Sequence, residues 1–180
     1  MLNNLQSVCQ LSLHCAKIWT ENKYFMVPKE EAIIMGNEVL HPDCSYCAEG
    51  ELVAKFGYKI CELPASKIYL FKEQSHPGRC IVASKWHVSE LIELTPEQRA
   101  AYFEDVATVS QAIHDLYHPD KVNYGAYGDT AGHMHMHLVP KYKDEFEWGG
   151  IFAMDPDRNK LTTDEACEEV AAKLREAILK

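Results

Sequence analysis

Positive charge is scarce in this chain. Lys and Arg number 18 against 27 Asp and Glu, a formal net charge of −9. An acidic surface repels a polyanionic backbone, so a general nucleic-acid binder is excluded, and only a local basic spot for one phosphate remains open. No apolar run approaches the ~20 residues that cross a bilayer, so no membrane span is expected. A charged segment leading into an apolar stretch, the mark of a secretory leader, is also missing. The seven cysteines are an odd number, scattered from Cys9 to Cys167. Together these absences predict a cytoplasmic protein with reduced thiols. In that compartment a close cysteine pair points to metal or redox work rather than to a structural disulfide. Internal repeats, low-complexity segments and domain linkers are lacking as well.

What is present is an ordinary globular composition, 47% hydrophobic and 25% charged over 180 residues, enough for one substantial core. In residues 1–40, NLQSVCQLSLHCAKIWTEN has apolar positions at helical spacing, and the segment is expected to be a helical extension packed on the domain. KEEAIIMGNEVL is ambiguous. From Tyr58 the pattern turns to strands: YKICELP, KIYLFKE and RCIVAS, separated by the turn material PAS and QSHPG. A helix follows. Thr95 is its N-cap, Pro96 its first residue and Gln98 completes a capping box. Phe103, Val106, Val109, Ile113 and Leu116 are expected on its apolar face, and His118-Pro119-Asp120 stops it. KVNYGAY and HMHMHLVP read as two more strands. A last helix is expected to be capped by Thr162, with Val170, Leu174 and Ile178 buried. Strands, helix, strands, helix is the order of an α+β fold: a largely antiparallel sheet of about five strands, a central helix and a C-terminal helix.

Within GHMHMHLVPK, His133, His135 and His137 recur at every second position. In a strand these share one face, roughly 7 Å apart, while Met134, Met136 and Leu138 pack behind. Two chemistries use such a row. Neutral imidazoles can hold a metal, or one imidazole can attack phosphorus while its neighbours fix tautomers and supply protons. Metal hydrolases that use histidine rows commonly add an acidic ligand, and Leu138 stands where that ligand would follow.

HMHMHLV resembles the His-x-His-x-His-x-x signature of the histidine-triad family, and KVNYGAYGDTAGHMHMHLVPKYKDEFEWGG resembles a bacterial branch of it. The likeness continues upstream through Cys44-Ser-Tyr-Cys47, HPGRCIVASKWH and ELTPEQ, covering roughly residues 43–155. It implies a catalytic domain over residues 41–180. It further implies a hydrolase or transferase that cleaves a nucleoside 5′-phosphoryl compound at the α-phosphorus. Dinucleoside polyphosphates such as diadenosine tetraphosphate and nucleoside phosphoramidates are the implied substrates, with adenine the usual base. By the same resemblance His135 is the nucleophile, which forms a nucleotidyl-histidine, and His137 bonds phosphoryl oxygens or the leaving group. His133 completes the triad, and Asn123 lies near ribose and phosphate. Gly128, Asp129 and Thr130 form the turn that delivers backbone to phosphate, although many relatives carry Gln or Asn in place of Asp129. Arg79 replaces the histidine of a common Gly-His; it is either a phosphate contact or a surface residue. Homodimers are common in the family and are expected here.

A Cys-x-x-Cys alone admits zinc, redox or chance, and no βαβ unit supports a thioredoxin reading. In zinc-containing histidine-triad proteins and galactose-1-phosphate uridylyltransferases, two cysteines join a later histidine and the first triad histidine. Here that implies one structural zinc per chain on Cys44, Cys47, His87 and His133, with His41 a competing ligand. The uridylyltransferase branch usually has Gln at the third triad position, where this chain has His137. That branch, and a non-catalytic zinc-stabilised nucleotide-binding module, stand as alternatives. Ile68, Leu70 and Phe71 are either a nucleobase pocket or core, and Trp148-Gly149-Gly150 is either a cover over the site or packing.

Overall fold

The computed structural model describes residues 33–35, 38–156, 160 and 162–180. The helix expected in NLQSVCQLSLHCAKIWTEN lies outside the described residues. Within the ambiguous stretch after it, Ile33–Met35 (β1) and Glu38–Leu40 (β2) pair antiparallel.

The main sheet has five strands: Gly57–Glu62 (β3), Ser66–Phe71 (β4), Cys80–Ser84 (β5), Lys121–Gly125 (β6) and His135–Lys141 (β7). Their order is β3-β4-β5-β7-β6, and every pairing is antiparallel. Two short helices, Ser45–Ala48 (α1) and Gly50–Ala54 (α2), precede it. Pro96–Tyr117 (α3) connects β5 to β6, and Asp164–Ile178 (α4) ends the chain. This is the α+β antiparallel architecture that the element order predicts.

Thr95 caps α3 as expected, accepting from the Gln98 N–H while the Gln98 side chain accepts from the Thr95 N–H. The helix ends at His118, whose φ of 48° is left-handed, with Pro119 following. Its buried stripe is Tyr102, Val106, Val109, Ala112 and Ile113. Phe103 and Leu116 sit at the margins and are 45% and 38% exposed, which corrects the expected face. The stripe is rotated by about one position. Asp105 enters it because its Oδ2 accepts the Ala65 N–H at 2.9 Å and the Ser66 hydroxyl at 2.6 Å, which pins the β3–β4 turn.

The cap of α4 is Thr163, which accepts from the Ala166 N–H, rather than Thr162. Thr162 is engaged elsewhere: its N–H donates to the Lys72 carbonyl at the end of β4. Cys167, Ala171, Leu174 and Ile178 form the buried side of α4, with Val170 half-buried.

The sheet has two different faces. Ile68, Leu70, Cys80, Val82, Met134, Met136 and Leu138 pack with the buried stripes of α3 and α4 in the main core. The opposite face carries Tyr69, Ile81 and Ala83 in a smaller cluster with Tyr46 and Val53 of α1 and α2. This fixes the register of β7. A one-residue slip would turn the imidazoles into the apolar main core and set Met134, Met136 and Leu138 on the polar histidine face. Ile68 and Leu70 are therefore core; of the three nucleobase-pocket candidates, Phe71 lies on the histidine side.

Candidate active site and metal centre

Cross-strand partners place the surroundings of the triad. Ala83 pairs with His135, Ile81 and Gly125 with His137, and Asn123 with Val139, so these residues share one side of the sheet. All three histidines are buried, at 2%, 6% and 2% exposure for His133, His135 and His137. The strand ladder begins at His135; His133 lies just before it, in the bend that leaves the Gly128–Thr130 turn.

Each ring has one nitrogen committed to a partner that can act in only one sense, and that decides the tautomer. His133 Nε2 is 2.8 Å from the Ser84 carbonyl. A carbonyl only accepts, so Nε2 carries the proton and Nδ1 keeps its lone pair. His135 is the reverse: its Nδ1 is 2.8 Å from the His133 carbonyl, so Nδ1 carries the proton and Nε2 is the free base. Burial, above the opposing effect of the bond to the His133 carbonyl, lowers the pKa of His135 below the ordinary imidazole value. The ring is thus neutral at pH 7, with the Nε2 lone pair free.

The free Nδ1 of His133 points at three other donor groups. It lies 3.3 Å from Cys44 Sγ, 3.5 Å from Cys47 Sγ and 3.3 Å from His87 Nδ1. Cys47 Sγ is 3.2 Å from His87 Nδ1. A tetrahedral zinc with bonds of about 2.05 Å to nitrogen and 2.3 Å to sulfur sets N···N near 3.3 Å and S···N near 3.5 Å. The four ligand atoms all lie within 4.8 Å of one another and could hold a metal ion. The protonation fits as well. A hydrogen bond from Cys47, opposed by burial, holds the Cys44 thiol well below its usual range, and that same shared proton pushes Cys47 up. Burial lowers His87, keeping it neutral. His41 is not in this group; its ring stacks on His87 with centroids 3.5 Å apart.

At the other end of the row, Arg79 is fully buried rather than a surface residue. Its Nη2 is 3.4 Å from His137 Nδ1. Its guanidinium lies 4.3 Å from the Phe71 ring centroid and 5.1 Å from that of Phe152. Nη1 donates to the carbonyls of Ala153 at 3.1 Å and Met154 at 3.4 Å. Burial, offset by Glu73, lowers the Arg79 pKa to about 10, so the cation persists at neutral pH. Burial first, then the Arg79 charge, drives His137 far below the ordinary imidazole range.

Of the remaining expected site residues, Asn123 is half-buried on the triad side, while Gly128, Asp129 and Thr130 are exposed. A cavity of about 500 Å³ opens beside the cysteine–histidine group, lined by His41, Tyr46, Phe56, His87, Thr130 and His133 among others. It does not take in His135 or His137. The cavity therefore flanks the histidine row at its His133 end.

Three residues here carry no sequence signal of their own. Tyr46, inside the Cys-x-x-Cys, is 3% exposed and lies 5.1 Å and 5.0 Å, between ring centroids, from His133 and His135. Lys141, 2% exposed, donates to the carbonyls of Glu147 and Gly150 and so ties down the loop after β7. That loop reaches the site through Phe152 rather than through Trp148, which is 39% exposed. Phe152 closes on Gly125, where an added Cβ would clash with its ring and lie 2.8 Å from Tyr127.

The sheet, the histidine row and the four-ligand cluster define a histidine-triad domain. A family model described as HIT domain matches residues 58–144. The Bacillus subtilis protein called Protein hit is 28% identical over 128 residues, 64% of this chain and 87% of that protein. An asymmetrical bis(5′-nucleosyl)-tetraphosphatase of Schizosaccharomyces pombe is 27% identical over 89 residues, 47% of this chain and about half (49%) of that enzyme. Among solved structures, a histidine-triad protein of Sinorhizobium meliloti superposes with a TM-score of 0.64 at 21% identity, covering 71% of this chain and 94% of its own. A Zn-bound histidine-triad family protein of Mycobacterium smegmatis gives 0.55 at 23%, covering 76% and 94%. Residues 58–144 of the chain thus match the HIT domain, and its fold is that of the histidine-triad proteins. Among the described residues no helix is long and apolar enough to cross a membrane.

Proposed function

We propose that this protein is a nucleotide hydrolase or nucleotidyl transferase that cleaves a nucleoside 5′-phosphoryl compound at the α-phosphorus through His135. The observation that carries the reading is the bond from His135 Nδ1–H to the His133 carbonyl, 2.8 Å, which leaves the Nε2 lone pair of a neutral ring as the nucleophile. Nε2 attacks phosphorus, the bond from phosphorus to the leaving group breaks, and a nucleotidyl-histidine forms. Water or another acceptor then attacks phosphorus, the P–N bond breaks, and the imidazole is regenerated. His137 faces the same side and bonds the phosphoryl oxygens or leaving group; Asn123 and the Gly128, Asp129 and Thr130 turn approach the ribose and phosphate. The metal is zinc, held by Cys44, Cys47, His87 and His133. Its role is structural, because four protein ligands complete a tetrahedron and leave no open position. The tetraphosphatase relative supports a dinucleoside polyphosphate as substrate; adenine as its base is part of the proposal. A cytoplasmic homodimer, with residues 1–40 as an extension of the catalytic domain, completes the proposal.

The test is a single-turnover incubation with α-³²P-labelled diadenosine tetraphosphate and labelled adenosine 5′-phosphoramidate, followed by alkaline denaturation. Label that survives alkali, is lost in acid, and is absent from His135→Ala is the expected result. Absence of both label and product with either substrate would overturn the nucleotide hydrolase reading and direct the search to sugar-nucleotide transfer.

A further inference from the structure

Arg79 and His137 meet in a way that restricts what His137 can do. A guanidinium has donors only and does not lose its proton in proteins. With Arg79 Nη2 3.4 Å from His137 Nδ1, Nδ1 must accept and the ring proton must sit on Nε2. A second proton on Nδ1 would set one N–H against another. Arg79 cannot easily withdraw. It is fully buried, bonded to two backbone carbonyls, held between Phe71 and Phe152, and 3.8 Å from the carboxylate of Glu73. The Glu73 carboxylate is itself anchored: its Oε1 accepts from the Ser75 N–H at 2.9 Å and from the Ser75 hydroxyl. Its Oε2 has no hydrogen-bond partner, so its charge is left for the guanidinium.

We infer that Arg79 is a positioning residue that locks His137 as a neutral Nε2–H donor, and that the site therefore selects phosphoric anhydrides over phosphoramidates. The inference rests on His135 being the nucleophile. The reason lies in the leaving groups. A nucleoside polyphosphate departs as a stabilised oxyanion; when the P–O bond breaks, the electron pair stays on oxygen, and a hydrogen bond from Nε2–H is enough. An amine departs from phosphorus only if a proton reaches its nitrogen as the P–N bond breaks. A neutral imidazole that gives up its only proton would become an imidazolide unless Nδ1 gained one, and Arg79 occupies the approach to Nδ1. His137 therefore donates hydrogen bonds and does not deliver protons.

The experiment has two arms on the full-length protein. In the first, ¹⁵N-histidine NMR reads the His137 tautomer, assigned with His137→Gln. The expected result is Nε2–H with a bare Nδ1, a preference that Arg79→Met removes and Arg79→Lys retains in part. An Nδ1–H or doubly protonated ring in the unmodified protein, or an unchanged tautomer in Arg79→Met, overturns the positioning role. This arm needs no substrate, so it stands or falls apart from the nucleotide reading. In the second, kcat/KM for diadenosine tetraphosphate should exceed that for adenosine 5′-phosphoramidate by about 100-fold, the contribution of a missing general acid. Arg79→Met should reduce that ratio at least about 10-fold, through kcat on the amine substrate rather than KM. Equal turnover of the two substrates, or a ratio indifferent to Arg79→Met and Arg79→Lys alike, overturns the selection. If Arg79→Met does not fold by circular dichroism, Arg79→Lys decides both arms.

Discussion

Stripping the proposed zinc from the Cys44, Cys47, His87 and His133 group should cost the protein much of its stability while leaving His135, the proposed nucleophile, chemically intact. The cluster joins segments far apart in the chain: 89 residues separate Cys44 from His133 and 40 separate Cys47 from His87. Besides the ion, the α1–α2 segment is held by the Tyr46–Val53 packing, the ion pairs of Glu49 with Lys59 and Lys67, and a 3.3 Å bond from Lys67 Nζ to the Tyr46 carbonyl, ties that loosen when the ion is removed. The apolar side chains this segment buries are Tyr46 at 3% and Val53 at 6% exposure. Releasing both to water forfeits about 2 kcal/mol each, roughly 4 kcal/mol together. A metal present at about 1,000 times its Kd contributes the same amount by mass action. At roughly 2–4 °C per kcal/mol for a chain of this size, the melting temperature should fall about 8–16 °C. The assay is thermal unfolding of the purified protein before and after chelation, alongside metal analysis expected to find about one zinc per chain, and of His87→Ala. A shift below about 2 °C, less than one kcal/mol, would refute the reasoning, as would a fully stable protein that purifies without metal.

The other expectations are simpler to check. His135→Ala should lower turnover by at least about 10⁴-fold with an unchanged circular dichroism spectrum; retained activity would remove His135 as nucleophile. Asp105→Ala should destabilise by about 3 kcal/mol in denaturant titration, because it orphans the buried Ala65 N–H and Ser66 hydroxyl; a loss under about 1 kcal/mol would show that the turn satisfies those donors another way. Phe152→Ala should cost about 3 kcal/mol and also reduce kcat, since that ring packs on Arg79 and near His137. Loss of stability with kcat preserved would detach the loop from the chemistry.

The alternation of His133, His135 and His137 with Met134, Met136 and Leu138 already placed the three imidazoles together on one face. Period two assigns the two sets to opposite faces whatever surrounds them, and only one set can pay for burial against helices. The Thr95-Pro96-Gln98 start of α3 and the antiparallel α+β class were legible for the same reason: they rest on local backbone chemistry and short-range periodicity. The grouping of Cys44 and Cys47 with His87 and His133 was reached through family resemblance, since nothing local links residues 89 positions apart.

Other features waited for the tertiary structure. The α4 cap falls on Thr163, whose hydroxyl accepts from the Ala166 N–H, while the Thr162 N–H ties the chain to Lys72; Asp105 enters the stripe of α3, where it accepts from two donors of a distant turn. Ile68 and Leu70 proved to be core because β4 is packed on both faces. Arg79, which reads equally as a phosphate contact or a surface cation, lies under His137 because the loop after β7 folds back and closes Phe152 over it. The sequence by itself determined which histidines share a face. Only the fold decided which nitrogen of each carries the proton, because a tautomer is set by whatever carbonyl or guanidinium the packed chain brings within hydrogen-bonding distance.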